Sequence, residues 1–155
     1  MQRVVEDCDI KNAHNPQYVV EFTTKILSHY LETEFHNQPK IKYMEKQPHI
    51  TERMRSILID WIIEVHFQFK LKVESLFLTV NLIDRYLEKQ IVSKDNLQLV
   101  GVSAMLIACK YEEIWPPLIK DYIHISDNAY NKEQIIEMEI SMLQELDFNV
   151  NFVSS

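Results

Sequence analysis

The sequence predicts an all-α fold, and three observations carry that reading. The chain of 155 residues holds one glycine against five prolines, whereas a β-rich domain of this size needs many glycine turns. Apolar residues recur at helical spacing, most densely from Met54 to Val65. Residues suited to helix starts stand ahead of such runs: Asn15 before Pro16, Thr51, and Asn131 with Gln134 three places on. By length the chain is one domain, large enough for a hydrophobic core.

Residues 1–14 are polar and mixed, and an extended segment is expected there. From Asn15-Pro16 a helix is expected to run to about Phe35, with Val19, Phe22, Ile26 and Tyr30 as its apolar stripe. Pro39 and Pro48 make the stretch to position 50 a connector rather than one continuous helix. Thr51 can cap the next helix, which carries MRSILIDWIIEV. At about 100° per residue, Met54, Ile57, Leu58, Trp61 and Val65 share one stripe. Ile59, Ile62, Ile63 and Phe69 cover the neighbouring arc, leaving Ser56, Asp60 and Glu64 as a polar strip. That is more apolar surface than one packed face uses. The helix is therefore either surrounded or open on one side to a partner. Ile57 and Trp61 lie beside the strip bearing Glu64, so an open groove would have an acidic rim, suited to a ligand with one basic and one large aliphatic residue.

A second helix is expected from about Glu74 to Lys89, with Leu76, Val80, Ile83 and Leu87 inward. The third, from about Lys94 to Glu112, is apolar nearly all round and belongs at the centre of a bundle. Gly101, Ala104 and Ala108 line a narrow face there, which explains a glycine that costs about 1 kcal/mol against alanine in a helix. A short fourth helix follows Pro116-Pro117 to about Ile125, and a fifth runs from the Asn131/Gln134 capping box to about Leu146.

Function classes narrow quickly. Net charge is −7, from sixteen basic and twenty-three acidic residues, with no basic block or glycine-rich loop, so nucleic acid is not expected as a partner. The acidity suits a basic partner or plain solubility and separates neither. Cys8 and Cys109 make no disulfide framework and fit a reducing compartment. The first residues lack the apolar core of a signal peptide. The longest apolar segment, Leu99 to Cys109, has about eleven residues against the roughly twenty of a membrane helix. An intracellular protein, nuclear or cytoplasmic, with no membrane association is expected. The histidines show no metal-ligand spacing and no catalytic signature occurs, so neither enzymatic activity nor a metal or cofactor is expected.

Two charges break the pattern. Glu139 projects into the stripe of Ile135, Met142, Leu143 and Leu146, where a carboxylate must be paired or face a partner. Lys110 is its natural counter-charge, either as an internal ion pair or as a donor and acceptor offered to another protein's backbone. Arg55 and Asp84 form a second candidate pair, read as a structural tie between helices. The run Lys110-Tyr111-Glu112-Glu113-Ile114-Trp115-Pro116-Pro117 reads as a solvated helix exit.

These stretches, MRSILIDWIIEV, LTVNLIDRYL, LQLVGVSAMLIACKYEEIWPP and YNKEQIIEMEISMLQELDF, resemble the N-terminal box of the cyclin family in order and spacing. NPQYVVEFTTKILSHYLETE and YMEKQPHIT are similar to the N-terminal helix and connector of A- and B-type mitotic cyclins, and VVEDCDIKN with the KYEE spelling leans towards B-type. The resemblance implies a five-helix cyclin box over 51–150, preceded by a helix and connector over 15–50. It implies a regulatory subunit, without chemistry of its own, that binds and activates a cyclin-dependent protein kinase. The kinase contacts it implies are Lys110, Glu139, Phe22, Ile26, Tyr111, Glu112 and Phe148. It also implies a docking groove for substrates and inhibitors with Arg-x-Leu motifs, at Met54, Ile57, Leu58, Trp61, Glu64, Leu97 and Gln98. An arginine–aspartate tie matching Arg55 and Asp84 belongs to the same pattern. A second five-helix box and a degradation tail are absent from the chain, which suggests a fragment or a short cyclin. The competing expectations are a cyclin-fold adaptor in transcription and a peptide-docking scaffold that activates no kinase.

Overall fold

The computed structural model describes residues 7–33 and 38–151, which fall in two compact units divided at Asn37 and Gln38. In the first unit, a short helix α1 (Asp7–Asn12) stands where an extended segment was expected. The helix expected from Asn15 is also interrupted. Asn15 Oδ1 accepts from Gln17 N at 3.0 Å, but it caps only a 3-10 turn, Pro16–Tyr18. Val19 then takes a left-handed conformation (φ 49°), and a second turn, Val20–Phe22, leads into α2 (Thr23–Thr33). A β-branched residue in the left-handed region is a local break that apolar spacing cannot reveal. The expected end near Phe35 lies outside the described residues.

The second unit holds α3 (Glu52–Phe69), α4 (Val73–Lys89), α5 (Leu97–Glu112), α6 (Ile119–Ile125) and α7 (Lys132–Glu145). Among the described residues every regular element is helical. Thr51 Oγ1 accepts from Met54 N at 3.3 Å and starts α3. Asn131 and Gln134 exchange two 2.9 Å bonds, closing the capping box of α7. The expected fourth helix begins at Ile119, where the Asp121 carboxylate accepts from Leu118 N at 2.8 Å.

Helix α5 is the hub, packed against α3, α4, α6 and α7. Leu97 and every residue from Leu99 to Cys109 are buried, as an all-round apolar helix requires. A Cβ on Gly101 would come within 2.8 Å of Leu58 Cδ1 and 3.4 Å of Ile62 Cδ1, so α3 approaches too closely for any side chain there without a shift of Leu58. On α4, Ile83 and Leu87 are buried as expected, but Leu76 and Val80 are only half-buried and face a groove. The core-facing positions instead include Leu78, Leu82 and Tyr86. Helical spacing identifies an apolar arc without separating its packed part from its open part.

The connector is stitched to α4 by side chains. Buried Gln47 donates Nε2 to Leu87 O and Gln90 O, both at 2.6 Å, and its Oε1 accepts from Val92 N at 3.1 Å. It thereby satisfies carbonyls that the end of α4 leaves open.

The Cys109 thiol is fully buried, and burial pushes its pKa from 9.0 up to about 11. The unfolded chain therefore loses this proton first as pH rises. Stability from the protonated thiol is complete below pH 9.0 and is lost between 9.0 and about 11. At about 1.4 kcal/mol per pH unit that amounts to roughly 3 kcal/mol. In denaturant titrations, the stability advantage of the parent chain over Cys109→Ala should shrink from about pH 8 to about pH 10.5. A constant advantage would contradict the assignment.

Candidate functional site

Two surfaces of the second unit carry most of the residues singled out above. The first lies at the exit of α5. Lys110 Nζ donates to Glu139 Oε1 of α7 at 2.5 Å. The pair is lopsided: the Glu139 side chain is 11% exposed and that of Lys110 is 49% exposed. The carboxylate sits among α7's buried Ile135 and Met142, and the ammonium that compensates it reaches solvent. Lys110 keeps two further N–H donors, and Glu139 Oε2 keeps its acceptor capacity. The pair can therefore hold itself together and still present a donor and an acceptor outward.

Around it in sequence the surface is apolar. Tyr111, Ile114, Trp115, Leu118, Ile140 and Phe148 are all exposed, Trp115 by 89%. Phe148 is held outward in a left-handed backbone conformation (φ 56°) and donates its N–H to Leu143 O at 2.8 Å. For a bulky residue that conformation costs about 1 kcal/mol or more. Glu112 is half-buried and contributes its carbonyl, which accepts from Lys72 Nζ at 2.9 Å. The carboxylate that fixes this corner is Glu113, which apolar spacing did not single out: its Oε1 accepts from Lys72 N at 2.7 Å and from Ser75 Oγ at 2.5 Å. Glu113 thus locks the end of α5 to the start of α4. Phe22 and Ile26 belong to the first unit, where both are exposed and the Lys25 ammonium lies 5.8 Å from the centre of the Phe22 ring.

The second surface is a groove of about 420 Å³ between α3 and the start of α5. It is lined by Met54, Ile57, Leu58, Trp61, Leu97 and Gln98, joined by Lys94. Ile57 is 59% exposed and Leu58 forms the buried floor. Glu64 does not line it. Three residues beyond Trp61 it stands about 60° further round α3, exposed on the solvent side. Lys94, on the 3-10 turn before α5, is the charged residue of the lining, and periodicity within helices gave no signal for it.

Arg55 and Asp84 join α3 to α4. Arg55 Nε and Nη2 donate to Asp84 Oδ1 and Oδ2, each at 2.6 Å, a two-pronged pair, and Tyr43 OH donates to Oδ1 at 2.6 Å. Hydrogen bonding to Asp84 raises the Arg55 pKa further, while burial followed by the Asp84 bond raises that of Tyr43. No group of three or more His, Cys, Asp or Glu among the described residues is placed to hold a metal ion. No helix among them is long and apolar enough to cross a membrane.

Comparison with known proteins places this arrangement. Residues 25–151 match the family model described as the cyclin N-terminal domain. The chain is 52% identical over 146 residues to a G2/mitotic-specific cyclin-B of Marthasterias glacialis, covering 94% of this chain and 37% of that protein. It is 46% identical over 148 residues to a G2/mitotic-specific cyclin-B of Dictyostelium discoideum, covering 96% and 34%. It thus spans about a third of the length of these curated relatives. Its fold resembles the X-ray structure of a viral cyclin from herpesvirus saimiri, with a TM-score of 0.75 and 24% identity over 82% of this chain and 56% of that one. The chain belongs to the cyclin family, with B-type mitotic cyclins among its relatives.

Proposed function

We propose that this chain is a regulatory subunit that binds and activates a cyclin-dependent serine/threonine protein kinase. The observation that carries the proposal is the Lys110–Glu139 pair at the exit of α5, bonded internally yet open on one side. An ammonium with spare donors beside a carboxylate with a spare oxygen suits the free carbonyls and N–H groups of a partner's backbone. The exposed side chains of Tyr111, Ile114, Trp115 and Phe148, which lie within nine positions of Lys110 or Glu139 in the sequence, supply apolar area. Activation follows by population shift: the chain binds the active placement of a mobile kinase helix more tightly than the inactive one. Moving that equilibrium from about 1:99 to 99:1 takes roughly 10⁴-fold preferential binding, within reach of a few such contacts. The test is phosphorylation of a histone H1 peptide by a purified, inactive mitotic cyclin-dependent kinase with and without this chain. Stimulation supports the reading, and a folded chain that neither stimulates nor binds the kinase contradicts it.

A second activity is supported by the groove around Trp61. Its apolar walls fit a large aliphatic side chain, and Asp60 and Glu64 on the adjacent face of α3 fit a basic residue beside it. This is the pattern of an Arg-x-Leu ligand. Trp61→Ala should weaken binding of an Arg-x-Leu peptide by about tenfold or more, from loss of a buried apolar contact, while sparing kinase activation. Fluorescence anisotropy with the labelled peptide measures the first effect, and the kinase assay the second.

A further inference from the structure

A second apolar groove lies on the opposite flank of α3. It has a volume of about 510 Å³ between α3 and α4 and is lined by Ile59, Ile63, Leu76, Phe77 and Val80, with Pro39 from the connector. Phe77 is 51% exposed at its mouth. The charge at its far end is spent, because Asp84 is bonded to Arg55 and Tyr43. No residue placed above in the kinase-facing surface or the Trp61 groove lines it.

The two grooves share α3 as their dividing wall. On the arc between them stand Asp60 and Glu64, both exposed, with no hydrogen-bond or ion-pair partner among the described residues. The cation on the same arc, Arg53, is two helical turns, or about 10 Å, from Asp60 along the axis. Apart from Lys94, which enters the Trp61 groove from the α5 side, the surface across α3 is apolar, acidic and apolar in turn, and fits a ligand that is apolar, basic and apolar. It disfavours a second copy of this chain, which carries a net charge of −7 and would bring like charges together.

We propose that the α3–α4 groove is the second half of a two-anchor docking surface for an unstructured basic peptide, which crosses Asp60 and Glu64 and places one apolar side chain in each groove. The proposal rests on the docking reading of the Trp61 groove and adds a spacing to it. A helix is about 10–12 Å across with side chains, so half its circumference is roughly 16–19 Å. An extended peptide at about 3.3 Å per residue covers that in about five or six residues. The second apolar anchor therefore lies about six positions from the leucine in the Trp61 groove, with the basic residue between them.

The experiment compares two fluorescein-labelled peptides on the whole chain by anisotropy: Leu-Gly-Ser-Ser-Arg-Ser-Leu and the same peptide with serine in place of its first leucine. The two-leucine peptide should bind about tenfold more tightly. Phe77→Ser, an exposed position that leaves the core intact, should erase the difference without weakening the one-leucine peptide. Asp60→Asn with Glu64→Gln should weaken both peptides and flatten their salt dependence. Equal binding of both peptides, with sensitivity to Trp61→Ala retained, overturns the second anchor and leaves the Trp61 groove standing. A tenfold difference that survives Phe77→Ser also overturns it. No binding of either peptide removes the docking reading and the second anchor together. Sedimentation showing a dimer that Phe77→Ser dissociates overturns the proposal by giving the groove to a second copy.

Discussion

Glu139→Ala is expected to abolish kinase activation while leaving the chain folded. The carboxylate is the buried member of its pair, and removing it leaves the Lys110 ammonium, already 49% exposed, to be rehydrated. Helical content and the unfolding midpoint should therefore stay close to the parent values. The kinase, by contrast, loses a charge-assisted acceptor and a fixed position for the neighbouring donor, each worth about 1.5–3 kcal/mol. The expected fall in affinity is about 100-fold or more. Lys110→Ala should behave differently. It leaves an uncompensated carboxylate at 11% exposure, so it should cost about 2–3 kcal/mol of stability as well as activation. If Glu139→Ala destabilised the chain more than Lys110→Ala, the lopsided reading of the pair would be wrong.

The largest stability effect is expected at Asp84. Its two oxygens take both prongs of Arg55, and Oδ1 also takes the Tyr43 hydroxyl, so one side chain holds α3, α4 and the connector together. Asp84→Ala strands a guanidinium that is 27% exposed and a half-buried phenol. A cost of roughly 3 kcal/mol follows, at the lower end for broken buried pairs because Arg55 retains some solvent. For a chain of this size that lowers Tm by about 6–12 °C. Thermal unfolding followed by circular dichroism measures it. A shift below about 2 °C would mean that the tie contributes little. Because Arg55 binds through two nitrogens, Arg55→Lys in the parent chain should keep only part of the tie and lower Tm by less than Asp84→Ala does.

Local chemistry was the most legible part of this chain. Thr51 and the Asn131/Gln134 box announce helix starts through side chains that bond their own backbone. The placement of α5 at the centre followed from having no polar face, and the close approach of a neighbour from Gly101, which the structure identifies as Leu58 and Ile62 of α3. The Lys110–Glu139 and Arg55–Asp84 pairs stood out because charges on apolar stripes need partners.

Other features depended on information that residue spacing does not hold. The break at Val19 is a backbone state unusual for its residue type, and α1 lies in a stretch whose polarity suggested no element. Leu76 and Val80 belong to an apolar arc, but whether such residues meet core or open groove is decided by neighbours distant in sequence. Glu64 and Lys94 exchanged places in the lining of the Trp61 groove for a similar reason. Glu64 is fixed by helical rotation to the solvent side, while Lys94 enters from a turn whose direction only tertiary packing sets. Gln47 and Glu113 act by bonding the backbone of other segments, which leaves no mark in local periodicity.

The measurement that bears most directly on the central claim is histone H1 peptide phosphorylation by an inactive mitotic cyclin-dependent kinase, titrated with the parent chain and with Glu139→Ala. Stimulation by the parent chain and its loss in the folded variant are expected. Equal stimulation by both would contradict the assignment of the α5 exit as the kinase-binding surface.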